Sequence, residues 1–173
     1  MKLQEAIALL RNAGFSSTVP QTWLDLGCGA GTFTYALAHS IPSGSVIYAV
    51  DQNPQTLQTE AGNKVEVKFV LSDFETVEFI ISEELTGILM GNSLHYVKDK
   101  SRLLNRLISR FPSVQQMIVI EYDSHLGNQW VPYPITYLQL QRLVSDAGFQ
   151  QIQKIAERPS IYGQGNMYVA SIR

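Results

Sequence analysis

The chain has 173 residues, 45% of them hydrophobic and 16% charged, with a formal net charge of -2. These are globular values: the apolar content excludes a disordered chain, no apolar run reaches membrane length, and the charge gives no general attraction to nucleic acid. A single cysteine forbids an internal disulfide. The start Met1-Lys2-Leu3-Gln4-Glu5 is not that of a signal peptide, because Glu5, Arg11 and Asn12 interrupt any apolar core, so the expected location is the reducing cytoplasm. The length predicts one domain over residues 1–173, with residues 1–18 as an N-terminal helix and lead-in.

Leu3, Ala6, Ile7 and Leu10 fall at helical spacing, which predicts an amphipathic helix from Lys2 to Ala13 that ends near Gly14. Trp23 to Leu26 reads as the first strand and Thr32 to Ser40 as a helix broken by Pro42-Ser43-Gly44. Val46 to Val50 is a nearly all-apolar run suited to a strand buried on both faces. Asn53-Pro54 supplies a cap and a proline at a first helical position, so a helix is expected there. Val65 to Leu71 follows as the third strand, Gly87 to Met90 as the fourth, Lys98 to Arg110 as a helix and Met117 to Ile120 as the fifth strand. This alternation implies a parallel sheet. After a helix over Ile135 to Ala147, Ile152 to Ala156 and Met167 to Ile172 read as two more strands. Only Glu157 to Asn166 separates them, too little for a parallel crossover, so they should form an antiparallel hairpin.

Between the first strand and its helix stands Leu24-Asp25-Leu26-Gly27-Cys28-Gly29-Ala30-Gly31-Thr32-Phe33. Glycines spaced two apart at an element boundary mark close backbone approach to a nucleotide cofactor. The dinucleotide fingerprint would carry a third glycine where this chain has Thr32. The order is G-x-G-x-G. With Asp25 before it and Ala49-Val50-Asp51 after the next strand, this pattern resembles motif I and the acidic motif II of the class I S-adenosylmethionine-dependent methyltransferases. Ser72-Asp73-Phe74 looks like motif III, Met90-Gly91-Asn92-Ser93-Leu94-His95-Tyr96 like motif IV, and Val144 to Phe149 like the helix end before that family's last two strands. The resemblance implies an α/β, Rossmann-like, seven-stranded methyltransferase sheet, mostly parallel with a C-terminal antiparallel hairpin and helices on both faces.

It also implies the cofactor S-adenosylmethionine and a set of residues to hold it: Asp25, Gly27, Gly29, Gly31, Asp51, Gln52, Asp73, Phe74 and Asn92. Asp51 ends its strand on the side where open α/β sheets bind ligands, and its oxygens can accept both ribose hydroxyls; without the glycine loop it would read as a solvated strand-end acid. Family likeness places Asp73 and Phe74 at the adenine, although Asp73 alone also fits an N-cap. Gln52 stands where an apolar residue is often found. Asn92 should lie near the sulfonium and the methionine amino group. Cys28 reads as a small residue between glycines, with no cationic neighbour in sequence to activate it.

Methyl transfer by in-line displacement asks the protein for proximity, alignment and exclusion of water, with a base only where the acceptor is protonated. His95 and Glu121 are the first candidates, since both follow buried strands; a structural histidine and a strand-end acid are the plain alternatives. Tyr96, Tyr122 and Asp123 share those loops. Trp130 and Tyr133, stiffened by Pro132 and Pro134, either wall an acceptor pocket or pack their long loop onto the sheet edge. Lys98, Arg102, Arg106 and Arg110 form a basic stripe that reads as a solvated helix face, without interleaved aromatics to stack bases. No His and Cys cluster has metal-ligand spacing, so no metal is expected. The reading is a methyltransferase acting on a small molecule, with no nucleic-acid or membrane partner. The rivals are a cofactor-binding scaffold or sensor without catalysis and an NAD(P)-binding oxidoreductase.

Overall fold

Short apolar runs flanked by glycine and polar breaks become the central strands of one sheet. The computed structural model describes residues 1–76, 81, 83–160 and 165–173. The strands are β1 (Thr22–Leu26), β2 (Val46–Asp51), β3 (Glu60–Ala61), β4 (Val65–Leu71), β5 (Gly87–Gly91), β6 (Gln116–Tyr122), β7 (Ile152–Pro159) and β8 (Asn166–Ile172). They lie in the order β3-β4-β2-β1-β5-β6-β8-β7. The five strands from β4 to β6 pair in parallel. β8 runs antiparallel to both β6 and β7, as the short separation of the last two strands requires. Part of their connection, residues 161–164, lies outside the described residues.

The helices are α1 (Leu3–Leu10), α2 (Thr32–Ala38), α3 (Lys100–Arg110) and α4 (Tyr137–Asp146). They cover both faces because the strand side chains alternate. On β6, Ile118 and Ile120 join the core under α1 and α2, while Met117 and Val119 join the core under α3 and α4. The Asp99 carboxylate caps α3 by accepting from Arg102 N, and a reciprocal Thr136 and Gln139 box starts α4. Of the basic stripe on α3, Arg106 donates to the backbone carbonyls of Glu75 and Thr76 rather than standing free in solvent.

The helix expected from Asn53-Pro54 does not form. Residues 52–59 have no regular structure and lead into β3, which pairs antiparallel with β4 as an eighth strand beyond the expected seven. A cap and a proline make a helix start, but the segment has only Leu57 to bury, so no apolar stripe holds a helix against the sheet. Its backbone finds other partners: Gln58 N donates to the Tyr35 hydroxyl, and Thr59 O accepts from Val67 N. Leu57 packs beside Cys28, Ala49 and Val67, directly under the glycine loop.

From β1 the chain moves outward through β2 and β4, then returns to the other side of β1 with β5. The strand order therefore reverses between β1 and β5. In open α/β sheets the crevice outside the strand ends at such a point is where ligands sit.

Candidate active site

Gly27, Gly29 and Gly31 all have left-handed φ values of 78°, 50° and 84°. The loop they make folds over the ends of β1 and β2, with the amides of Gly27 and Cys28 both donating to Val50 O at 2.8 and 3.0 Å. Asp51 binds the loop from the other side: its Oδ2 accepts from Gly29 N at 2.9 Å and its Oδ1 from Asn53 N at 2.9 Å. Each carboxylate oxygen thus takes one amide and keeps a lone pair for a further donor. At Gly29 a Cβ would meet no atom within 4 Å. Left-handed backbone facing open space beside a half-exposed carboxylate is a cradle for a ligand carrying paired hydroxyls.

A second polar group waits across β1. Asn92, at the end of β5, has a positive φ of 57°, and its buried Oδ1 has no hydrogen-bond partner. Leaving such an acceptor unpaired costs about 1–3 kcal/mol, a cost that a donor on a bound ligand removes. Asp51, Gly29 and Asn92 therefore fit the ribose and the amino group of S-adenosylmethionine. Phe74 lies at the same loop, its ring edge 3.2 Å from where a Gly27 Cβ would stand. Asp73 is exposed and accepts from Glu75 N at 2.9 Å, the capping arrangement, and Gln52 is exposed beside Asp51. Asp25 is buried behind the loop, where Thr34 Oγ1 donates to it at 2.6 Å. Burial pushes its carboxyl up to about 7 against the bond from Thr34, with Asp51 adding a smaller push in the same direction. Asp25 thus ties the loop to α2 and does not line the cavity. The Cys28 thiol is pushed up by burial first and by the Asp25 and Asp51 charges second, so it is no nucleophile.

Beside Cys28 and Asn92 opens a cavity of about 220 Å³, walled further by Phe33, Tyr122, Arg158 and Met167. A neighbouring hollow of about 300 Å³ shares Tyr122 and Ser160 with it and takes in Asp123. Of the proposed base residues, Glu121 is fully buried and His95 nearly so. The structure brings them together: Glu121 Oε1 accepts from His95 N at 3.0 Å, and Oε2 lies 2.8 Å from His95 Nδ1. Neither lines the cavity. The His95 ring instead packs on Tyr96 and Tyr122, with centroids 4.4 and 6.0 Å apart. Asp123 Oδ1 accepts from Tyr137 N at the start of α4.

Trp130 is 71% exposed and Tyr133 41% exposed, and neither lines the cavity. Tyr133 serves through its backbone, its amide donating to His95 O and its carbonyl accepting from Lys100 Nζ. Phe33, Arg158 and Met167 escaped the sequence reading. Phe33 had a signal, being two residues past the last loop glycine on the ligand side of α2. Arg158 and Met167 had none, since they reach the site only through the pairing of the last two strands. Among the described residues no group of three or more His, Cys, Asp or Glu is placed to hold a metal ion, and no helix is long and apolar enough to cross a membrane.

Residues 24–109 match the family model described as "Methyltransferase domain". A search of curated protein sequences finds no match. Among solved structures, the chain is similar to the Burkholderia thailandensis 1,6-didemethyltoxoflavin-N1-methyltransferase with bound 1,6-didemethyltoxoflavin and S-adenosylhomocysteine. The identity is 21% and the TM-score 0.68, over 99% of this chain and 77% of that one. The magnesium protoporphyrin IX methyltransferase of Synechocystis with bound S-adenosylhomocysteine is 16% identical, with a TM-score of 0.67 over 99% and 81%. A cyclopropane-fatty-acyl-phospholipid synthase-like protein of Lactobacillus casei has a TM-score of 0.72 at 12% identity, over 98% and 89%. At these identities the structural likeness concerns the fold. The family match covers the glycine loop, Asp51, Asp73 and Asn92 together, and with the geometry of that loop the conclusion is that the chain belongs to the class I S-adenosylmethionine-dependent methyltransferases.

Proposed function

We propose that the chain transfers the methyl group of S-adenosylmethionine to a small molecule held in the cavity beside Asn92. The observation that supports this reading is an open cavity that begins at Asn92 and at Cys28 of the glycine loop and reaches Tyr122 and Met167 on the last strands. The proteins of similar fold include methyltransferases named for small acceptors, 1,6-didemethyltoxoflavin and magnesium protoporphyrin IX among them.

The cofactor, when bound, supplies an electrophilic methyl on a sulfonium and a neutral leaving group. The protein supplies place and dryness. Asp51 accepts the ribose hydroxyls and Asn92 Oδ1 an ammonium donor, which fixes the methyl toward the cavity. Phe33, Tyr122 and Met167 exclude water and hold the acceptor in line, an effect that supplies several kcal/mol without a dedicated base. Glu121 and His95 act as a buried positioning pair: the carboxylate holds the imidazole, and the imidazole backs the Tyr122 ring on the cavity wall.

The test is incubation of the protein with methyl-labelled S-adenosylmethionine and a protein-free small-molecule extract. The expected result is label in the low-mass fraction, lost with an Asp51→Ala variant. Tight cofactor binding with no label transferred to any low-mass species refutes the reading in favour of a binding scaffold.

A further inference from the structure

We infer that the acceptor is an acidic small molecule, its carboxylate or phosphate received by Arg158 while its apolar part rests on Phe33, Tyr122 and Met167. This rests on the methyl-transfer reading above and adds the acceptor's chemical class. Arg158 is the one charged side chain among the described residues that line the cavity. The other side chains of the lining are apolar or neutral, and a guanidinium set in such a wall selects an oxyanion, which it can bind through two parallel hydrogen bonds.

The sheet puts the arginine there by register. Met167 on β8 stands opposite both Tyr122 on β6 and Arg158 on β7. Residues directly opposite in an antiparallel pair point to the same face, so the three side chains form one row across the cavity floor. Met167 and Tyr122 belong to the core on the α1 and α2 side, which fixes the face. Glu5 on α1 stands at the outer rim, 3.5 Å from Arg158 Nη1. A pair this exposed contributes little energy, and the guanidinium has five N–H donors, so Glu5 orients the group without satisfying it.

Strand order also separates Arg158 from the residues that would hold the cofactor. Asn92 follows β5, whereas Arg158 sits on β7, three strands further out at roughly 4.8 Å per strand. The cofactor cradle spans β2 to β5, and the arginine faces the acceptor from the far side of the cavity.

The experiment uses the full chain saturated with S-adenosylhomocysteine, titrated by calorimetry with benzoate, phenyl phosphate and the neutral isostere benzamide. The expected result is that at least one anion binds tenfold to a hundredfold more tightly than benzamide, the order expected of charge-assisted hydrogen bonds. Benzoate against phenyl phosphate then tells which oxyanion the site takes. Arg158→Gln should abolish the preference and leave S-adenosylhomocysteine affinity unchanged, while Arg158→Lys should keep part of it. Equal binding of anion and amide, or no anion binding at millimolar concentration, overturns the proposal. So does weakened S-adenosylhomocysteine binding in Arg158→Gln, which would place the arginine on the cofactor's carboxylate and leave the methyl-transfer reading standing.

Discussion

Replacing Asp51 with alanine removes two hydrogen bonds within the protein and, on the proposed reading, two more to the cofactor. Two are internal, from Gly29 N and Asn53 N, and hold the glycine loop over the strand ends before any ligand arrives. Two are those the remaining lone pairs offer to the ribose hydroxyls. Hydrogen bonds to a charged group contribute about 1.5–3 kcal/mol net in favourable settings, but this carboxylate is half-exposed and shares its charge among four donors. The ligand bonds together should therefore account for about 1.5–3 kcal/mol, or about tenfold to a hundredfold and more in dissociation constant. Calorimetric titration with S-adenosylhomocysteine measures this directly. Asp51→Asn keeps one acceptor and loses the charge, so it should fall between wild type and alanine. A dissociation constant for Asp51→Ala within about threefold of wild type would remove Asp51 from the cofactor site, and the cradle argument with it.

Gly29→Ala separates binding from folding. Its Cβ meets open space, so the cost to stability is the left-handed φ alone, about 1–2 kcal/mol. The methyl would stand in the cofactor's place, so thermal denaturation should show a modest drop in Tm and no stabilisation by S-adenosylhomocysteine; a normal ligand shift would move the cradle elsewhere. Glu121→Gln should lower turnover once an acceptor is known and spare cofactor affinity, because Glu121 holds His95 and not the ligand. Full turnover would dismiss the positioning pair. Asp25→Asn tests the buried carboxyl by pH. A folded-state value of about 7 against an ordinary 3.8 means the native state keeps a proton that the unfolded state releases. Wild-type stability should then fall as pH rises from about 4 to 7, by up to about 4 kcal/mol. The asparagine still accepts from Thr34, so its denaturant-unfolding free energy should be flat across that window; a parallel decline in both proteins would refute the assignment.

The chemistry at the cofactor end could be read from the chain because it is local. Gly27, Gly29, Gly31 and Asp51 sit at the ends of two consecutive strands, and the apolar runs before them are too short and too uniform to be anything but buried strands. The short gap between the last two strands likewise dictated their antiparallel pairing. The same local rules misled at Asn53-Pro54, where a good helix start has no apolar stripe behind it, and the Gln58 amide turns to Tyr35 while the Thr59 carbonyl accepts from the sheet edge instead. His95 and Glu121 were legible as residues and not as a pair, since 26 positions separate them and only the pairing of β5 with β6 brings them together.

The amino-acid sequence by itself determined which cofactor this protein holds, because glycine backbone and a strand-end carboxylate carry their geometry with them. Only the tertiary structure decided most of the cavity wall. Arg158 and Met167 join Tyr122 across three paired strands, and a side chain's place in that row depends on register and pleat. Those are set by burying one face of every strand at once, a condition no single segment of the chain can state.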